Sequence, residues 1–362
     1  MKAIDLQIDN FFERSPFSDD KYNKEALMLP LLIELIKFHY NNCIEYRNIL
    51  DALQFDFSKA DTFELLPFLP VGLFKHLDLF SISPEEISRH MNSSGTTGQV
   101  LSKVYLDKNT AMLQRRILAK IASEVIGNKR LPMVIIDKKS SITNRMNFSA
   151  SAAGIIGFSS FSSSQFFALN EDLSLNLQGL QDFLDLHKSE KKFIFGFTSM
   201  IWTYLIQALC DTNIVLNLSN SVLIHGGGWK KLQNEKITAK EFRGGILRNL
   251  NINEIYDYYG MVEQTGSIFL ECSEHYLHAS NFSAIIIRDP LTFSVLPFGE
   301  VGLVEVFSLA TLSYPGHILL TEDLGRIIGE DSCQCGRLGR YFEIIGRLEQ
   351  AELRGCSDTY VI

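Results

Sequence analysis

Hydrophobic positions along the chain change period several times, and the changes mark its elements. From Asn23 to Leu53 the apolar residues Leu27, Leu31, Leu32, Leu35, Ile36 and Phe38 recur at helical spacing, which predicts one or two amphipathic helices. LPFLPVGLFKH (Leu66 to His76) is spaced by prolines and reads as extended chain. Lys103 to Tyr105 completes a hairpin strand, and Asn109 to Val125 reads as a helix. Leu131 to Asp137, Phe193 to Phe197, Ser221 to Ile224 and Ile252 to Tyr259 read as four strands, the apolar runs among them fitting burial on both faces of a parallel sheet. A helix over Thr198 to Leu209 follows the second of them. Ser283 to Arg288, Gly302 to Phe307 and His317 to Leu320 alternate or run apolar between Pro/Gly breaks, like a smaller β-rich part. The whole predicts an α/β fold with an appended β subdomain.

Composition narrows the class. The chain has 362 residues, 46% hydrophobic and 21% charged, which describes a globular protein with a substantial core. Its 34 basic and 42 acidic residues give a net charge of −8, and no Lys/Arg run stands out, so a nucleic-acid partner is not expected. The opening MKAIDLQIDNFFERS holds no apolar segment of signal length. The early run Met28 to Ile36 is broken by Pro30 and Glu34 and is too short to span a bilayer, so the expectation is a cytoplasmic protein with no membrane span. Six cysteines in this length do not make a disulfide framework. Cys43 and Cys210 sit in apolar surroundings and are expected to be buried small hydrophobes. Nothing in the composition sets the oligomeric state.

Candidate chemistry begins at SSGTTGQ (Ser93 to Gln99). Gly95 and Gly98 permit unusual backbone angles, so N–H groups can converge on an anion while Ser93, Ser94, Thr96 and Thr97 donate from their hydroxyls. The same string also suits a solvated turn, and it lacks the Gly-Lys-Ser/Thr ending of a P-loop. In SASAAGIIGFSSFSSS (Ser149 to Ser164), small residues around Gly154 and Gly157 either leave room for an apolar ligand, lined by Ile155, Ile156, Phe158 and Phe161, or form a surface loop. HGGGW (His225 to Trp229) closes a predicted strand, where open α/β sheets bind ligands; His225 and Trp229 equally suit a core.

SSGTTGQ is followed in order by YYGMVEQTG (Tyr258 to Gly266), TEDLG (Thr321 to Gly325) and IIGRLEQ (Ile344 to Gln350). These strings resemble the signature motifs of the acyl-adenylate-forming superfamily. With LPFLPVGLFKH, HGGGWKK and the tail RGCS (Arg354 to Ser357), the chain is most similar to the acyl-protein synthetase family of bacterial luminescence, the ligase component of fatty acid reductase. The resemblance covers nearly the whole sequence. It implies a large adenylating core over residues 1–345, with a helical part at 1–90, an α/β part at 91–260 and a β-rich part at 261–345. A hinge and short tail, 346–362, would replace the mobile C-terminal domain of other adenylating enzymes.

The resemblance also assigns roles. Ser93, Ser94, Gly95, Thr96, Thr97 and Gly98 would hold the phosphates of ATP, Tyr259 would stack on adenine, and Gly227, Gly228 and Gly260 would line the nucleotide. Glu263 would bind Mg2+, Asp323 the ribose hydroxyls and Arg347 the ribose or phosphate. His225, Trp229, Gly154 and Gly157 would border the acyl pocket. Leu101 stands where the family has lysine, with Lys103 nearby, and Val262 where it has threonine, which leaves Gln264 or Thr265 to replace that group.

Cys272, His278, Cys333 and Cys335 supply the ligand types of a structural Zn2+ site, with His275 competing for the imidazole place and reduced unliganded thiols as the other reading. Cys356 lies beside Arg354 in a polar tail, and a neighbouring cation raises the thiolate fraction. By resemblance Cys356 would carry the acyl group to an acceptor protein, a reductase or carrier. Two other readings remain at this point: a ligase similar to phenylacetate-CoA ligases that delivers a carboxylic acid to coenzyme A or a carrier, and a non-catalytic scaffold.

Overall fold

The computed structural model describes residues 11, 14–93, 101–143, 150–227 and 237–348. In chain order the strands are β1 (Leu69–Pro70), β2 (Arg89–Asn92), β3 (Lys103–Leu106), β4 (Leu131–Lys138), β5 (Ser162–Leu169), β6 (Lys192–Phe197), β7 (Ser221–Gly226), β8 (Glu254–Tyr259), β9 (Phe269–Glu271), β10 (Leu277–His278), β11 (Ser283–Arg288), β12 (Gly302–Ser308), β13 (Ile318–Glu330) and β14 (Arg340–Arg347). They divide between two compact units. One comprises Met1–Pro84 with His278–Ile362, the other Glu85–Leu277.

The unit Glu85–Leu277 is built on a parallel sheet in the order β5, β4, β6, β7, β8, with β9 antiparallel to β8. Side chains at paired positions of neighbouring strands share a face, and successive residues alternate between faces. Register pairs Ile135 with Phe195, Phe195 with Ile224, and Gly226 with Tyr258, so these share one face. The other face carries Val134, Ile136, Ile194 and Leu223. These pack with Ile201, Leu205, Phe242 and Ile246 in a continuous buried cluster. Phe242 and Ile246 belong to the helix Ala239–Leu250, whose capping box pairs Thr238 with Glu241.

Helix Lys108–Ile126 starts at Asp107, whose carboxylate accepts from the Thr110 amide at 2.8 Å. Thr198–Met200 continues through a π segment, Ile201–Ile206, into the helix Gln207–Thr212. Arg89–Asn92 and Lys103–Leu106 pair as the predicted hairpin.

The unit containing both termini starts with helices Lys21–Asn42 and Ile44–Ala52, the two expected from the 23–53 periodicity. Its sheet is antiparallel in the order β11, β12, β13, β14, and β1 adds to β13 in parallel. Among the described residues, no helix is long and apolar enough to cross a membrane.

Three expectations are corrected. LPFLPVGLFKH is extended only at Leu69–Pro70 and then coils into a 3-10 turn, Val71–Lys75. Ser149 to Ser164 contains a helix, Ala150–Phe158, followed by the start of β5 rather than a loop. Cys43 is buried, but Cys210 is exposed, its thiol 3.6 Å from the Asn249 side chain.

Candidate active site

In the unit Glu85–Leu277 the neighbouring parallel strands β7 and β8 end at Gly226 and Tyr259, and two residues after β8 the chain enters a turn at Val262–Gln264. Glu263 is only 5% exposed in that turn. The Thr265 hydroxyl donates to the Val262 carbonyl at 2.8 Å, so it caps the turn. Gly266 has φ 90°, and a Cβ there would lie 2.4 Å from the Gln114 carbonyl oxygen in helix Lys108–Ile126. Backbone meets backbone at that point, and the turn bearing Glu263 is pressed against a long helix.

That contact gives a first prediction. Gly266→Ala combines a left-handed φ with a backbone clash and should cost about 2–4 kcal/mol. Gly299→Ala, with φ 90° and no atom within 4 Å of the added Cβ, should cost about 1 kcal/mol. Thermal melts of the two variants should separate; equal losses would remove the steric part of the argument.

Tyr259 is half-buried with its ring 6.0 Å from that of Phe269. A Cβ added at Gly260 would come 3.3 Å from the Ile268 side chain. Ser93 closes the ladder before the candidate phosphate loop: its amide donates to the Ser102 carbonyl at 3.1 Å, and its hydroxyl accepts from the Ser102 amide at 2.9 Å. Ser94, Gly95, Thr96, Thr97, Gly98, Gly228, Trp229 and Cys356 lie outside the described residues.

The residues assigned to the acyl pocket fall on two faces of the sheet. His225 is buried on the face of Phe242, at 4.7 Å between rings, with Nδ1 2.9 Å from the Thr198 hydroxyl and 3.5 Å from Asp257. Burial, with Arg243 nearby, lowers its pKa to about 3, so the imidazole is neutral. Gly154 lies on the opposite face, against Phe195 and Tyr258, and Gly157 approaches Leu118 of helix Lys108–Ile126. Asp137, at the end of β4, accepts from the hydroxyls of Ser141 at 2.5 Å and Ser151 at 2.7 Å, tying helix Ala150–Phe158 to the strand end. The sequence reading missed Phe195, Tyr258 and Asp137; the alternation in FIFGF and YDYY carried the signal for the rings.

In the other unit Asp323 and Arg347 are register partners on β13 and β14. The Arg347 guanidinium pairs with Glu322, and its Nε lies 4.0 Å from the Asp323 carboxylate. The Asp323 amide donates to the Thr321 hydroxyl at 3.1 Å, which itself donates to the Val304 carbonyl at 2.8 Å.

The ligand atoms of Cys272, His278, Cys333 and Cys335 all lie within 4.8 Å of one another. The Cys335 sulfur is 3.5 Å from His278 Nε2. Tetrahedral zinc with its usual bond lengths would set such N and S atoms about 3.5 Å apart, so the set fits the ion. Gly336, at φ 81°, turns the chain between Cys335 and Arg337, and the Arg337 amide donates to the Cys335 sulfur at 3.4 Å. Burial, then Arg337 and Lys24, lower His278 to about 3, which keeps its imidazole in the neutral, ligating form. His275 instead faces solvent, its side chain 59% exposed and 3.7 Å from Glu271.

Comparison with known proteins supports the family resemblance. Residues 3–361 match the family described as acyl-protein synthetase, LuxE. The long-chain-fatty-acid–luciferin-component ligase of Aliivibrio fischeri is 26% identical over 337 residues, covering 90% of this chain and 86% of the relative. The ligase of the same name from Vibrio harveyi is 23% identical over 366 aligned positions, covering 98% and 93%. A solved 2-hydroxyisobutyryl-CoA ligase, in an open conformation with 2-HIB-AMP and CoA, shares the fold: TM-score 0.71 at 16% identity, over 92% of this chain and 77% of that one. The chain belongs to the acyl-protein synthetase family and is an AMP-forming ligase with the adenylate-forming fold.

Proposed function

We propose that this ligase activates a carboxylic acid of the fatty type with ATP and passes the acyl group through Cys356 to a thiol on a partner protein. The acid's carboxylate oxygen bonds to the α-phosphorus, the bond to the bridging β-phosphate oxygen breaks, and pyrophosphate leaves with that electron pair. The thiolate of Cys356 then attacks the acyl carbon, AMP departs, and a partner thiol repeats the attack to free Cys356. The family description, acyl-protein synthetase, supports a protein acceptor such as a reductase.

The observation that carries the reading is Glu263, buried in a braced turn at the carboxyl edge of a parallel sheet, directly after Tyr259-Gly260. A carboxylate held there suits Mg2+, which would neutralise phosphate charge. Tyr259 offers a flat face to adenine, Asp323 two acceptor oxygens to ribose hydroxyls, and Arg347 a cation for ribose or phosphate. Ser93 to Gly98, with Gly227, Gly228 and Gly260, would surround the rest of the nucleotide. Cys272, His278, Cys333 and Cys335 would hold one structural Zn2+ that takes no part in the chemistry. We place the enzyme in the cytoplasm, where its thiols stay reduced.

Wild type and Cys356→Ser, incubated with ATP, magnesium and radiolabelled acids from acetate to tetradecanoate, test the transfer. Expected are a hydroxylamine-labile label on wild type, none on the variant, and pyrophosphate exchange in both. Thioester label persisting on Cys356→Ser would move the acceptor elsewhere. Exchange without label on either protein would favour release of acyl-AMP to a small thiol.

A further inference from the structure

His225 and Gly226 are neighbours in HGGGW, and one threonine holds both. Thr198 follows β6 directly and is 0% exposed. Its hydroxyl oxygen lies 2.9 Å from His225 Nδ1 and 3.3 Å from the Gly226 carbonyl oxygen. A hydroxyl has one proton to give and a carbonyl only accepts, so the proton goes to Gly226 and the bond to the ring comes from Nδ1–H. Asp257 agrees with that tautomer: its carboxylate is 3.5 Å from the same nitrogen, where an N–H is attracted and a lone pair repelled. With burial keeping the imidazole neutral, one fixed hydrogen-bond chain runs from His225 through Thr198 to the backbone at the end of β7.

That chain fixes the direction of a peptide group. Gly226 is paired with Phe197 on β6 and with Tyr258 on β8, so β7 stands between the two strands. Its carbonyl is held to the β6 side by Thr198. Among the described residues no peptide bond is cis, and in a planar trans peptide the N–H points opposite to the C=O. The Gly227 N–H is therefore aimed to the β8 side, where Tyr258 and Tyr259 end the strand. Gly227 itself has φ 82°, and a Cβ on it would lie 2.1 Å from Cδ1 of Phe197, so only glycine fits beneath that ring.

We infer that Thr198 and His225 are positioning residues for the nucleotide: neither touches it, and together they set the Gly226–Gly227 peptide against which it lies. The inference rests on the reading above, in which Gly227 and Gly228 line the nucleotide beside Tyr259. It gives His225 a part other than bordering an acyl pocket, since the ring lies on the face of Phe242 and reaches the strand end through Thr198. Affinity for ATP then depends on a hydroxyl that no ligand atom meets, because a peptide left to rotate has to be ordered again when the nucleotide binds.

Isothermal titration calorimetry of the full chain with ATP and magnesium is the test, and it needs no acid to be known. Thr198→Val keeps the shape and removes the hydroxyl; its dissociation constant for ATP should rise about tenfold. Thr198→Ser, which keeps the hydroxyl, should recover most of that loss. His225→Phe keeps a buried ring beside Phe242 and should weaken binding in the same direction. The two changes together should cost about as much as Thr198→Val alone, since both break one chain. Leu209→Ala, in the core of the same unit, should lower the melting temperature without moving the constant. An unchanged constant in folded Thr198→Val overturns the inference and leaves the nucleotide reading intact. A loss in Thr198→Ser equal to that in Thr198→Val, or an equal shift in Leu209→Ala, reduces Thr198 to a structural residue and overturns it too. Where Thr198→Val does not accumulate folded protein, His225→Phe decides in its place. A wild type that binds no ATP overturns the nucleotide reading itself, and the inference with it.

Discussion

Glu263→Gln should slow acid-dependent pyrophosphate exchange by about 10²–10³-fold, the loss typical of removing one preorganised electrostatic group from a charge-forming step. The substitution keeps size and shape and removes only the charge, so a side chain buried to 5% exposure should stay in its turn. The turn itself is held by the Thr265 hydroxyl on the Val262 carbonyl and by the approach of Gly266 to Gln114, neither of which the change touches. Circular dichroism and the thermal melt should accordingly match wild type. Because the lost group is the proposed magnesium ligand, the variant should need more magnesium to reach half its own maximal rate, with part of the loss recovered at high magnesium. Exchange within about threefold of wild type, at equal magnesium dependence, would show that Glu263 is not a metal ligand.

What was legible in the sequence follows from how strongly each segment constrains itself. The parallel strands were readable because a strand covered on both faces must be apolar throughout, as LPMVIID and FIFGF are. Of the two readings open for Ser149 to Ser164, the loop fails; its serines and glycines suggested it. The helix there is carried by Ala152, Ile155 and Phe158, buried at helical spacing, while Ile156 remains 36% exposed. Helix Ala239–Leu250 went unread although Thr238 and Glu241 spell a capping box. Cys210 lies one position beyond buried Leu209, and one residue of helix turns a side chain through roughly a quarter of the circle, out of the core.

The step is larger in a strand. His225 and Gly226 are adjacent in HGGGW, yet alternation sends them to opposite faces, so a string that looks like one pocket is divided by the sheet. Close approach of glycine to a ring, as at Gly226 and Tyr258, has no local signal, since the partners come from different strands.

Protein prepared without chelator should contain about one zinc per chain, and Cys333→Ser or Cys335→Ser should lose that zinc and melt about 10 °C or more below wild type. The expectation starts from the donor set: three thiols and one imidazole whose ligand atoms lie within 4.8 Å, on a chain turned by Gly336 so that the Arg337 amide meets the Cys335 sulfur. Three thiolates left so close without a cation would repel one another, and Cys272 and Cys333 are buried while Cys335 is half-buried, so little water reaches the set to screen them. Since all four tetrahedral positions are filled by protein, the ion has no place for substrate, and its removal should act on stability alone. Exchange rates measured well below the variants' melting temperature should therefore stay near wild type. A protein free of zinc, with Cys333→Ser melting like wild type, would return these cysteines to the status of ordinary reduced thiols. Loss of exchange in a variant that still binds zinc and melts normally would instead give the cluster a part in the chemistry that its closed coordination does not predict.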